Sequence, residues 1–275
     1  MKDRESYIMA NIREKKSHLE KLGYKVLALF LQGSQNYGLD VYDEDYKSDI
    51  DAKAIVLPSL RDIVLNKTPV STTIVLPNEE HIEVKDIRIM KEMFVKQNIS
   101  YLELLYTKYY IYNPKYKSYI EELHSMRDEI SSINKNQLLK AIKGMSMNKL
   151  IALEHPYPTI IDKINKYGYD PKQLHHIVRL NEFTIRYLTE KEKFGNCYMS
   201  KSCDYLIKIK KGYYNLAEAR KMADTYNDFT CDLCNEHITE EDDININTIH
   251  KLDDWIMRII TDSLKDDLGG KHEGI

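Results

Sequence analysis

The stretch VLALFLQGSQNYGLDVYDEDYKSDIDAKAIVL, residues 26–57, decides the fold. Val26-Leu27-Ala28-Leu29-Phe30-Leu31 is a short continuous apolar run closed by Gly33-Ser34, the pattern of a strand covered on both faces. Asp49 to Leu57 reads as a second strand, ending at Pro58. Side chains at i and i+2 of a strand point to the same side, so Asp49 and Asp51 share one face while Ile50 and Ala52 turn to the core. Two carboxylates held that close repel unless a cation compensates, and oxygen-only ligation suits Mg²⁺ or Mn²⁺ rather than zinc. The plainer alternative is a pair of exposed polar residues on a half-buried strand. Gly33 permits close backbone approach, and the Ser34 hydroxyl with neighbouring N–H groups is suited to hold a phosphate.

Outward from this stretch, residues 5–22 have a loose helical spacing that stops at Gly23. After Pro58 come a short helix, 59–66, and two β-rich runs, Thr72 to Leu76 and His81 to Val84, joined as a hairpin by Pro77-Asn78-Glu79-Glu80. From Asp86 the period becomes helical, and Asn113-Pro114 breaks the chain. Segments 116–130, 134–155, 171–190, 200–210, 215–236 and 247–266 read as amphipathic helices, and Gly269 to Gly274 as a frayed end. The expected fold class is therefore α+β: residues 1–114 form a mixed sheet with helices, and residues 115–275 an all-α bundle.

The 275 residues carry 40 Lys plus Arg against 43 Asp plus Glu, and 43% are apolar, enough for a substantial core. A net charge of −3 excludes a bulk electrostatic grip on nucleic acid but leaves room for a local basic groove. No run approaches the roughly 18 apolar residues of a membrane helix, and MKDRESYIMANIREKK is too charged for a signal peptide. The expectation is a cytoplasmic protein with no membrane partner, its four cysteines reduced.

The segments Gly33-Ser34-Gln35-Asn36-Tyr37-Gly38-Leu39 and Ser48-Asp49-Ile50-Asp51 together resemble the signature of predicted nucleotidyltransferases of the DNA polymerase beta superfamily. Gly33, Ser34, Tyr37, Gly38, Ser48, Asp49 and Asp51 match it, and Asp86 to Leu105 resembles the same family's strand-to-helix segment, with Asn98 and Glu103 at matching positions. The resemblance covers about residues 26–106. It implies a polymerase-beta-like domain and a third carboxylate on a neighbouring strand. Glu83, inside Ile82-Glu83-Val84, is preferred for that role; the alternative, Asp86, stands where a helix N-cap is needed. The implied chemistry uses two Mg²⁺ or Mn²⁺ ions on Asp49, Asp51 and Glu83 to move an NMP from an NTP such as ATP to a hydroxyl acceptor, releasing pyrophosphate. Ser34 would hold the β- or γ-phosphate, with Gly33, Tyr37 and Ser48 lining the nucleotide.

In the helical half, Lys172, His175, His176 and Arg179 fall at i, i+3, i+4 and i+7, one face of a helix, and resemble a basic helix of the same family. This face and Lys149 are candidates for binding triphosphate or RNA backbone; packing or solvated faces are the structural alternative. Cys231 and Cys234 with His237 have the spacing of half a zinc site, and cysteines at i and i+3 on a helix equally serve as small buried residues. The expected partners are an NTP and an acceptor, for which RNA, a protein side chain and a small molecule are the candidates. The alternative to an enzyme is a silent nucleotide-sensing or partner-binding module of the same fold, antitoxin-like in character.

Overall fold

Two strands whose side chains are buried on both faces can only be interior strands, and the sheet is built around them. The computed structural model describes residues 2–42, 48–241 and 243–269. The elements in chain order are α1 (Lys2–Lys21), β1 (Lys25–Gln32), β2 (Asp51–Leu57), α2 (Leu60–Val64), β3 (Ser71–Val75), β4 (His81–Asp86), α3 (Ile87–Val95), α4 (Ile99–Leu102) and β5 (Tyr110–Tyr112). They continue with α5 (Lys117–Ser125), α6 (Arg127–Ile130), α7 (Lys135–Ala152), α8 (Ile161–Tyr167), α9 (Pro171–Leu188), α10 (Phe194–Tyr198), α11 (Cys203–Lys210), α12 (Leu216–His237) and α13 (Ile246–Gly269). The sheet order is β3-β4-β2-β1-β5. β1 is antiparallel to β2 and to β5, β3 and β4 form the expected hairpin, and β2 and β4 run parallel. The fold is α+β with a mixed five-stranded sheet followed by helices, and no helix among the described residues is long and apolar enough to cross a membrane.

By packing, the chain divides into two units. The first holds the described residues of 1–36, 48–133 and 245–275; the second holds those of 37–47 and 134–244. This differs from the expected division at residue 114. Helices α5, α6 and α13 are amphipathic, as expected, but their apolar faces close on the sheet-bearing unit: Trp255 Nε1 donates to Tyr119 O at 2.8 Å, and Lys91 pairs with Asp253 at 2.6 Å. Gly270 to Gly274, read as frayed, lie outside the described residues.

In the first unit, Ile8, Ile12 and Leu19 of α1 cover one sheet face, packing on Leu29, Leu31, Ala52, Ala54, Ile82 and Val84. α2 is started by Ser59 and Asp62, a reciprocal capping box. β5, Tyr110–Tyr112, was not among the expected elements; it adds to the β1 edge through Ala28, Leu29 and Phe30. In the second unit, α7, α9 and α12 pack together, and buried polar side chains tie them: Ser146 donates to Asn227 at 2.9 Å and Asn181 to Thr230 at 3.1 Å.

Candidate functional site

The antiparallel register pairs Gln32 with Asp51, which sets the Gly33-Ser34 end of β1 beside the Asp49-Ile50 entry to β2. Gly33 has φ +107°, a backbone state that glycine adopts without the steric cost other residues meet. The chain then turns through one short 3-10 segment, Ser34–Asn36. Ser34 Oγ lies 3.5 Å from Ser48 Oγ. Gln35 is buried in the turn, and its amide donates to Asp49 O at 2.5 Å and to Ser48 O at 3.4 Å. Asn36 donates to Leu31 O at 2.9 Å and accepts from Thr107 Oγ1.

The other side of the Asp-Ile-Asp segment is held by a buried ion pair. Glu80 accepts from Ile50 N at 3.0 Å and is paired with Lys15 of α1, a lysine only 3% exposed that also donates to Asn11. Burial raises the Glu80 pKa, but the hydrogen bonds from Lys15, Asn78 and Ile50 outweigh it and hold the carboxyl below its ordinary value. Ile50 and Ala52 are buried, as the alternation requires, while Asp49 is exposed and Asp51 half-buried. Asp51 Oδ1 accepts from His81 N at 2.8 Å, and His81 Nδ1 lies 3.4 Å from it.

The two candidates for a third carboxylate are both engaged. Glu83 stands in register with Lys53, two residues farther along β2 than Asp51, and pairs with it at 2.7 Å. It also accepts from Tyr101 OH at 2.6 Å, with Lys85 at 3.3 Å. Burial pushes its pKa up, and Lys53, Tyr101 and Lys85 pull it further down, leaving it below the ordinary value. Lys53 is itself buried over the Tyr101 ring, 3.9 Å from its centroid, and donates to Ser100 Oγ at 3.0 Å. Its pKa is lowered by burial, opposed by Glu83 and Glu103. Asp86 caps α3, accepting from Arg88 N at 2.9 Å and from Arg88 Nη2 at 2.6 Å. Asn98 caps α4. Among the described residues, no three His, Cys, Asp or Glu side chains gather as a metal-holding group.

In the second unit, Tyr37, Lys149, Lys172, His176 and Arg179 come together. Arg179 stacks its guanidinium 4.2 Å from the centre of the Tyr37 ring, which meets Tyr198 edge-on at 5.1 Å. The short segment carrying Tyr37 is held here by Lys210, donating to Leu39 O at 3.0 Å. Asp170 caps α9 through Lys172 N at 3.0 Å. Lys149 is pushed below its ordinary pKa by burial and by Lys172 and Arg179, with Asp170 opposing, so these positive charges lie close together. His175 is buried with neither ring nitrogen hydrogen-bonded, and both it and His176 are driven well below the ordinary histidine value, first by burial and then by these cations. Cys231 and Cys234 lie on α12, where burial pushes the Cys234 thiol up to about 12.

The sequence reading did not single out Lys15, Gln35, Lys53, Glu80 or His81. Lys53 carried one available signal: a lysine inside the apolar run Ala52 to Leu57 needs a partner carboxylate on an adjacent strand. No protein-family model matches this sequence, and no curated protein matches it.

Proposed function

We propose that the protein is a metal-dependent nucleotidyltransferase that moves an NMP from an NTP to a hydroxyl-bearing acceptor and releases pyrophosphate. The observation that carries this reading is the register of β1 and β2. It sets a glycine-serine turn beside two carboxylates, and the peptide between Asp49 and Ile50 is held at both ends by the buried side chains of Gln35 and Glu80.

The donor set fits a hard divalent cation. Asp49 is exposed and Asp51 half-buried, all the donors are oxygen, and Mg²⁺ commonly takes one or two carboxylates while completing its shell from water and substrate phosphates. Asp49 and Asp51 would hold the two Mg²⁺ or Mn²⁺ ions, which supply charge neutralisation of the triphosphate and a lowered pKa for the attacking hydroxyl. Ser34 would donate to the β- or γ-phosphate. Gln35 and Glu80 hold the carbonyl and the N–H of the Asp49–Ile50 peptide, which fixes the backbone between the two carboxylates before substrate arrives. Glu83 enters as the fixed negative charge that neutralises buried Lys53. In the second unit, Lys149, Lys172 and Arg179 form a cationic cluster suited to phosphate groups of a nucleotide or of an acceptor, with the neutral His176 beside it.

The engagement of Glu83 by Lys53 favours one second reading, a silent nucleotide-sensing or partner-binding module. Incubation of the protein with Mg²⁺ and each α-³²P-labelled NTP, with and without cellular RNA and protein, separates the two. The enzyme reading expects label on an acceptor, lost in Asp49→Asn/Asp51→Asn. Nucleotide binding without transfer, indifferent to that substitution, would replace it with the sensor.

A further inference from the structure

The second unit contains a cavity of about 530 Å³ whose lining, Lys172 apart, lies outside the residues of the candidate nucleotidyltransferase site. Its walls carry five lysines from three elements: Lys163 and Lys166 of α8, Lys172 at the start of α9, and Lys210 and Lys211 at the end of α11. Lys210 is buried, Lys163 and Lys172 are half-buried, and Lys166 and Lys211 are exposed. Positive charge therefore runs from the depth of the cavity to its rim. Two acidic residues share the lining; the carboxylate of one, Asp170, is already engaged as the cap of α9.

Two tyrosines complete the chemistry. Tyr167 is half-buried, and Tyr213 is 71% exposed, offering an aromatic face at the edge. Among the described residues, the lining includes no Asn, Gln, Ser or Thr side chain and its neutral polar side-chain groups are the two tyrosine hydroxyls, so it lacks the amides that commonly read base edges. A pocket built for one particular mononucleotide would enclose most of it and place a few such groups around the base. Lysines for phosphate and tyrosines for stacking are the chemistry of sequence-tolerant single-strand binding, since every base has a π-face.

We propose that this cavity binds the end of a single-stranded nucleic acid, its phosphates on the lysines and a base on Tyr213. The identification of that strand as the acceptor rests on the nucleotidyltransferase reading; the binding itself does not. At a net charge of −3 the chain has no general attraction for polyanions, so affinity must come from this local field.

Fluorescence anisotropy with 5′-fluorescein-labelled U12 and dT12, in EDTA and without NTP, tests the cavity independently of catalysis. The wild type should bind, with an affinity that falls as salt rises by about 0.7 log units per log unit of salt for each phosphate contacted. Lys166→Glu/Lys211→Glu, two exposed positions whose exchange leaves the core intact, should weaken binding at least tenfold and flatten the salt slope. Tyr213→Ala should weaken it several-fold without changing that slope. Binding unaffected by the charge reversal, absence of binding at low salt, or complete displacement of the strand by an equal nucleotide concentration of ATP would each overturn the proposal.

Discussion

At the scale of single residues, two charged groups of β2 do different work although they are only two positions apart in sequence. Asp51 is half-buried at the strand entry; Lys53, farther in, is buried and satisfied by Glu83, Ser100 and the Tyr101 ring. Removing the charge of Glu83 leaves a lysine ammonium in a place that water does not reach. Glu83→Gln is therefore expected to lower stability by roughly 2 kcal/mol, below the full cost of breaking a buried pair because Glu83 keeps partial solvent access. Urea denaturation measures it, and a change below about 0.5 kcal/mol, the range of ordinary surface substitutions, would contradict the assignment. The aspartates and Gly33-Ser34 were legible because they lie close in sequence around one loop. Gln35, Glu80 and Lys15 were not: Glu80 reaches Ile50 from 30 positions away, and Lys15 reaches Glu80 from 65.

At the scale of elements, the junction of β4 and α3 is fixed by a capping carboxylate. Asp86 is buried and accepts from the first turn of α3, the cap for which its place before Ile87-Arg88 marked it. Asparagine caps about as well as aspartate, so Asp86→Asn should keep the fold, losing about 1 kcal/mol with the Arg88 pair, whereas Asp86→Ala loses the cap as well. Thermal unfolding of the two variants tests the order. Transfer activity abolished in a folded Asp86→Asn protein would instead place that carboxylate in the chemistry. Most elements were readable from period and punctuation, and the hairpin of β3 and β4 follows the expected turn. β5 was not, because Tyr110-Ile111-Tyr112 is too short to show alternation and is extended only by pairing with β1. The helix faces of α5, α6 and α13 were legible, but which surface they cover was not: Trp255 and Tyr119 are 136 positions apart.

At the scale of the whole molecule, stability should depend on pH in a window set by the second unit. His175 and His176 are held neutral in the fold, with pKa values driven well below 6.5 by burial and by neighbouring cations. Their contribution is present above the unfolded pKa of about 6.5, and it is lost as pH falls below that value because the unfolded chain takes up the protons. Each histidine contributes a slope of up to about 1.4 kcal/mol per pH unit below that point. Denaturation between pH 7.5 and 5 should show the decline, and His175→Gln should reduce it; an unchanged slope would mean that His175 is protonated in the folded protein. Glu80 and Glu83, with lowered values, act in a separate window, their contributions fading as pH falls below the ordinary carboxylate range.

The most direct test of the central claim is which phosphorus moves. Parallel incubations with α-³²P- and γ-³²P-labelled NTP, Mg²⁺ and an acceptor pool should place the α label on the acceptor and release the γ label as pyrophosphate, both abolished in Asp49→Asn/Asp51→Asn. Transfer of the γ label to the acceptor, or release of inorganic phosphate with no α label transferred, would contradict nucleotidyl transfer at the Asp49-Asp51 pair.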